Sequence, residues 1–271
     1  MKILITGANG FLGKYLGSFF KDKYEVYALS REHLDVCNDL QVTNTLEMIR
    51  PNVVIHCAAQ GRYTPMSADP YILQNNLLGF TNLVENKPLY DKLINIGSGA
   101  EFGLNRSLHK IKEYEVTSSF PKESYGLSKN LITRMIYEME GFCNIRLFGC
   151  FDASENDDRV LKILMNNLMN DKPFVLKTDR LFDMVWAYDV GVMIDNVIKN
   201  NSTYDKDINC VYKHKMLLSD IFQSFIRIHG LNKNLLKVEG EYSHNYTGSF
   251  KRTKFYSDGF KGLEAGFEQY K

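Results

Sequence analysis

Thr6-Gly7-Ala8-Asn9-Gly10-Phe11-Leu12-Gly13 follows a short apolar run, Lys2–Thr6, and opens an amphipathic one, Phe11–Phe20. The first run reads as a buried strand and the second as a helix with one apolar face. The glycines at the junction each have a physical task. Gly7 lets the chain turn sharply out of the strand, Gly10 leaves room for a pyrophosphate against the backbone, and Gly13 lets helix and strand pack closely. The helix N-terminus adds unpaired N–H groups and a partial positive charge. Strand, glycine turn and helix in this order predict a dinucleotide-binding unit.

Outward from this turn, short apolar runs alternate with helical patterns. Strands are expected at Tyr24–Leu29, Val53–His56, Leu93–Ile96 and Asn144–Phe148, and helices at Leu40–Ile49, Pro70–Glu85 and Ser124–Glu140. Such alternation with continuously apolar strands predicts an α/β fold: a Rossmann-like, doubly wound parallel sheet. The later half is less regular. It reads as helices at Arg159–Met169, Ala187–Lys199 and Leu217–His229, a strand at Asp207–Val211, and a polar, turn-rich stretch over 241–257. The expected organisation is a nucleotide-binding domain over 1–150, to which 183–200 returns, and a small C-terminal substrate-binding lobe over 151–271.

Composition narrows the function classes. The net charge of +1, from 33 basic and 32 acidic side chains, gives no electrostatic footprint for nucleic acid. A small-molecule partner is the better expectation. The five cysteines, Cys37, Cys57, Cys143, Cys150 and Cys210, are widely spaced without a CxxC, which predicts reduced thiols and no metal site. There is no signal-peptide pattern and no long uncharged apolar run, so a cytoplasmic protein without a membrane span is expected.

Two further constellations carry chemistry. Tyr125-Gly126-Leu127-Ser128-Lys129 places a tyrosine and a lysine on one face of a helix start. A phenol that ordinarily titrates near pH about 10 is lowered by about 1–3 pH units beside a cation, which makes it a usable general acid. Ile94–Gly103 is a strand running into a small-residue loop, and it puts Ser98 at the strand's C-terminal end, where open α/β sheets bind ligands. The second strand ends Ala28-Leu29-Ser30-Arg31, with an arginine and no carboxylate at the tip. A guanidinium there suits the 2′-phosphate of NADP more than the free ribose of NAD.

These pieces, in this order, resemble the extended short-chain dehydrogenase/reductases of the NAD-dependent epimerase/dehydratase branch, which act on nucleotide-sugars. The matching segments are Thr6–Gly13, Asp35-Val36, His56-Cys57-Ala58-Ala59, Asn76-Leu77-Leu78-Gly79, Ser98, Tyr125 with Lys129, Arg146-Leu147-Phe148-Gly149, Asp189-Val190 and Gly262–Phe267. The resemblance implies that Gly7, Asn9, Gly10, Phe11 and Leu12 line the pyrophosphate and that Asp35 and Val36 contact the adenine. Ala58 and Ala59 would pass the ribose and phosphates, and Lys129 would bridge the nicotinamide ribose and tune Tyr125. Asn76 and His56 are expected to hold structure, not to do chemistry.

Three positions depart from the family pattern: Gly149 replaces an asparagine, Phe182 an arginine with Arg180 two residues earlier, and Phe102 a tyrosine. The segment 149–182 carries Arg159, Lys162, Lys177 and Arg180, and Arg159 and Arg180 are the expected substrate contacts. The function the resemblance implies is NADPH-dependent reduction of a nucleotide-linked 4-keto-deoxysugar by a homodimer. An NAD-dependent nucleotide-sugar 4-epimerase and a non-catalytic NADP-binding sensor are the alternatives. The retention of Ser98, Tyr125 and Lys129 together weighs against the sensor, and the Gly99-Ala100 pair after Ser98 lacks the acidic pair of a dehydratase.

Overall fold

The computed structural model describes residues 1–61, 71–200 and 205–270. Strand β1 (Lys2–Thr6) leads through the glycine turn into helix α1 (Phe11–Phe20), followed by β2 (Glu25–Leu29), α2 (Asp39–Ile49), β3 (Val53–His56), α3 (Ile72–Glu85), β4 (Lys92–Ser98) and α4 (Ser124–Tyr137). With Phe142–Leu147 and Asp207–Cys210 the strands form a six-stranded sheet, parallel throughout, in the order Asp207–Cys210, Phe142–Leu147, β4, β3, β1, β2. From β1 the chain winds one way to β2 and then returns to β3 on the other side. The crevice between the carboxyl ends of β1 and β3 is therefore the topological switch point, where such sheets bind ligands.

Alternate side chains of the buried strands serve two helix layers. Ile3 and Ile5 pack with Leu16 and Phe20 of α1 and with Val190, Met193 and Val197 of the helix Ala187–Lys199. Leu4 faces the opposite layer, with Val42 and Leu46 of α2, Phe80 and Leu83 of α3, and Ile132 and Ile136 of α4. The helix Ala187–Lys199 thus belongs to the sheet despite its late place in the chain. α2 ends at Pro51 as read: Arg50 adopts the left-handed conformation and its N–H donates to Leu46 O, closing the last turn.

A second core gathers the rest of the chain. Phe151, Leu161, Leu164, Trp186, Phe222, Phe225 and Phe267 are buried together, from the helices Val160–Met169, Leu218–Ile228 and Leu263–Phe267 and the strands beside them. Above it lies a small sheet in the order Met216–Leu217, Leu181–Phe182, Tyr246–Gly248, Leu108–Ile111. The last of these strands comes from the first 150 residues. The stretch 241–257, read as polar turns, contains the strand Tyr246–Gly248 and a 3₁₀ turn at Thr253–Phe255. Its polarity is misleading because Thr247 is buried with its hydroxyl paired, donating to Leu108 O and accepting from Lys110 N. The long fourth helix stops at Tyr137, three residues short of the expected end, and α3 begins at Ile72; Pro70 lies outside the described residues. Among the described residues, no helix is long and apolar enough to cross a membrane.

Candidate active site

The glycine turn has little freedom. Gly7 has φ +70°, and a Cβ there would lie 2.7 Å from the Ala58 backbone. A Cβ on Gly13 would stand 2.3 Å from Gly7 O. β1, the start of α1 and the end of β3 are thus in backbone contact, and Gly10 caps α1 with its N–H turned back to Gly7 O at 3.0 Å. Beside this turn a cleft of about 260 Å³ is lined by Gly7, Asn9, Gly10, Arg31, Asp35, Val36, Ala58 and Ala59. Leu34, Cys37, Gln60, Asn75 and Asn76 complete much of the wall. A bare backbone cradle at a helix N-terminus fits a pyrophosphate. Phe11 and Leu12 do not line the cleft: Leu12 packs into the core under α1, and the Phe11 ring carries the Arg159 guanidinium 5.8 Å from its centroid.

At the outer end of the cleft, Arg31 does have a carboxylate neighbour. Its Nε donates to Asp35 Oδ2 at 3.2 Å, and the guanidinium side chain is 72% exposed. The acid missing from the strand tip is supplied one helical turn later in sequence. Asp35 is in turn fixed by the Cys37 N–H, 3.0 Å from Oδ1. An exposed pair of this kind contributes about 0–1 kcal/mol, so an incoming phosphate competes for the guanidinium at little cost.

The carboxyl end of β4 brings together the three residues singled out for chemistry. Ser98 ends β4 and caps a 3₁₀ turn, its Oγ accepting the Ala100 N–H at 3.2 Å. Lys129 is 3% exposed and its Nζ donates to Ile96 O of the same strand, at 2.8 Å, two residues before Ser98. Burial pushes the ammonium down to about 8, with Glu101 and Cys57 pulling it back up. Tyr125, half-buried in the first turn of α4, is brought to the serine turn by its neighbour: a Cβ on Gly126 would lie 2.6 Å from Ala100 O. Asn76 ties this end to the cleft wall. Its side chain accepts the Gln60 N–H at 2.7 Å and donates to Gln60 O and to Ser128 Oγ, and Ser128 donates in turn to Tyr125 O.

His56 is packed with its Nδ1 2.9 Å from Thr6 Oγ1, and burial together with Lys129 lowers it to about 3, so it stays neutral. Burial pushes the Cys57 thiol up to about 12, which removes it as a nucleophile. All five cysteines are free thiols, and among the described residues no cluster of His, Cys, Asp or Glu is placed to hold a metal.

Sequence reading missed a buried polar cluster below the serine. Arg146, fully buried, donates to Glu101, Asp207 and Asn209. Burial disfavours its charge, but Asp207 and Glu101 outweigh that and hold the guanidinium above its usual range. Tyr137 and Asn144 donate to Asp207 as well, each at 2.9 Å. Arg146 was legible only as part of a motif; its partners are distant in sequence.

On the other side of Ser98, the departures at Gly149 and Phe182 turn out to be in contact. A Cβ on Gly149 would meet the Phe182 ring at 2.6 Å, so the glycine makes room for the aromatic. Phe182 stacks on Tyr246 at 5.6 Å, and the Arg180 guanidinium lies 5.4 Å from the Phe182 centroid. Arg180 Nε is buried without a hydrogen-bond partner. Arg159 is engaged by Cys150 O at 2.9 Å and by Glu155 at 3.5 Å. A second cavity of about 350 Å³, among Phe182, Met184, Tyr212, Met216 and Phe260, shares no lining residue with the glycine-lined cleft.

A glycine cradle at the switch point, with serine, tyrosine and lysine gathered at the end of the fourth strand, defines an NAD(P)-dependent enzyme of the extended short-chain dehydrogenase/reductase type. The chain belongs to the NAD dependent epimerase/dehydratase family, whose family model matches residues 3–210. It is 24% identical over 264 residues to GDP-L-colitose synthase of Yersinia pseudotuberculosis, an alignment that spans 85% of this chain and 82% of that one. Among solved structures it resembles dTDP-4-dehydrorhamnose reductase of Bacillus anthracis in complex with NADP, with a TM-score of 0.84 at 20% identity over 99% of this chain and 96% of the other. It also resembles the UDP-glucose 4-epimerase of Thermus thermophilus in complex with NAD, with a TM-score of 0.76 at 19% identity over 99% and 97% of the two chains.

Proposed function

We propose that the protein is an NADPH-dependent reductase of a nucleotide-linked 4-keto-deoxysugar. The observation that carries this reading is the gathering of Ser98, Tyr125 and Lys129 at the carboxyl end of β4, tied through Ser128 and Asn76 to the cleft that fits a pyrophosphate. NADPH, when bound, supplies the hydride that the keto carbon accepts. The Tyr125 phenol donates its proton to the carbonyl oxygen as negative charge builds there, and the Ser98 hydroxyl donates a hydrogen bond to the same oxygen. Lys129, at about 8, remains mostly protonated at pH 7, and its charge favours the phenolate that proton transfer leaves behind. Arg180, whose guanidinium lies over Phe182, is the arginine proposed for the substrate diphosphate, whereas Arg159 is already held by Glu155 and Cys150. The likeness to a dehydrorhamnose reductase holding NADP supports reduction and this cofactor.

The test uses a 4-keto nucleotide-sugar with external NADPH. Absorbance of the reduced cofactor should fall in proportion to the substrate added. Cofactor retained through purification, with sugar interconversion and no net consumption, would move the assignment to a 4-epimerase. The cofactor choice is checked separately at Arg31. NADPH should bind more tightly than NADH in a fluorescence titration, and Arg31→Ala should weaken NADPH several-fold while leaving NADH unchanged. An unaltered NADPH affinity would remove Arg31 from the site.

A further inference from the structure

Glu101 stands three residues beyond Ser98 and is fully buried, where a carboxylate is costly unless its oxygens are met by donors. The two oxygens face different elements. Oε1 accepts the Ser98 backbone N–H at 2.7 Å. Oε2 accepts the Thr133 hydroxyl of α4 at 2.9 Å and two N–H groups of Arg146 at 2.8 and 2.6 Å. The Glu101 backbone O accepts from Asn130 Nδ2, also on α4, at 2.9 Å. Thr133 lies one helical turn beyond Lys129, and Lys129 one turn beyond Tyr125.

We infer that Glu101 is a positioning residue of the reaction, fixing Ser98 against the Tyr125 and Lys129 helix by holding the serine turn with one carboxylate oxygen and α4 with the other. The inference rests on the roles proposed above for Ser98 and Tyr125. Charge balance alone does not account for the arrangement, because Arg146 already has a carboxylate partner in Asp207 at 2.8 Å. What Asp207 does not do is touch the serine turn or Thr133. Two groups that act on one carbonyl oxygen have to be held in register, and a misplacement of about 1 Å can cost about a hundredfold in rate.

A double-mutant cycle on the full chain tests this, with GDP- and dTDP-linked 4-keto-6-deoxyhexoses as probe substrates and the stoichiometry of bound NADPH counting folded sites. Glu101→Gln keeps an oxygen for the Ser98 N–H and drops the charge. Thr133→Val removes the carboxylate's contact with α4, sparing the Asn130 bond to the Glu101 backbone, and leaves the charge in place, so it carries the test if Glu101→Gln does not fold. Each variant should lower kcat per NADPH site by about 3–10-fold, the worth of one hydrogen bond, without changing NADPH affinity. In a Ser98→Ala background the same changes should slow turnover no further than about twofold, because what they position is gone. A Thr133→Val enzyme at the parental kcat, or equal slowing in both backgrounds, overturns the inference. A Ser98→Ala enzyme at the parental rate overturns instead the serine assignment beneath it.

Discussion

Tyr125→Phe will bind NADPH as the parent does and turn over substrate about 10²–10⁴-fold more slowly, the usual loss when a positioned general acid is removed. The ring sits half-buried in the first turn of α4, and phenylalanine preserves it. The helix is held by contacts that do not involve the phenol: Lys129 to Ile96 O, Asn130 to Glu101 O, and Gly126 against the serine turn. The loss should therefore appear in kcat and leave cofactor affinity unchanged. Stopped-flow NADPH oxidation with a 4-keto nucleotide-sugar, beside a fluorescence titration of NADPH, separates the two. Turnover close to the parental rate would mean that another group delivers the proton.

Gly13→Ala should cripple the cofactor cradle from behind. The added methyl would stand 2.3 Å from Gly7 O and 2.9 Å from Gly7 C, both backbone atoms that cannot swing aside. Gly7 cannot retreat either, since its own turn is pressed against Ala58. Relief has to come from moving α1 off the sheet, which costs about 1–3 kcal/mol in a packed interior. The unfolding temperature should fall by about 2–4 °C for each kcal/mol in a chain of this size. NADPH affinity should fall about ten- to a hundredfold, because on the proposed reading the α1 N-terminus would meet the pyrophosphate, and every 1.4 kcal/mol or so is a factor of ten. Calorimetry and the NADPH titration measure both. A variant with parental stability and affinity would show that the turn is looser than its contacts indicate.

The parts of the fold that the sequence made legible are those governed by local pattern. β1, α1, β3 and the helix Ala187–Lys199 lie where their apolar spacing places them, because each buries one face or both against a single layer. The glycine turn was equally plain, since its residue types answer to a backbone shape. The cluster under Ser98 was not. Glu101, Arg146, Asp207 and Asn209 look like surface residues in a one-dimensional reading, and only pairing across two strands and a turn makes their burial tolerable. Asp35 was expected at the adenine, and its pairing with Arg31 was not foreseen because the chain folds back on itself between 31 and 35, which no strand-end rule anticipates. The small upper sheet escaped because strands of two to four residues have no period to read.

That small sheet has a bearing on how the enzyme comes to be active at all. Leu108–Ile111 leaves the serine turn and pairs with Tyr246–Gly248, which also lies over Gly99. Arg146, under the same turn, waits for Asp207. A nascent chain that has emerged through α4 therefore carries its serine, tyrosine and lysine and the α4 contacts to the serine turn, yet lacks Asp207 and Tyr246, which meet that turn and the arginine beneath it. Until then the edge at Leu108–Ile111 is an open template for other strands. The frame around Ser98 is completed by residues more than a hundred positions later, so a product terminated before Asp207 is left with the serine, tyrosine and lysine present and their framework unfinished.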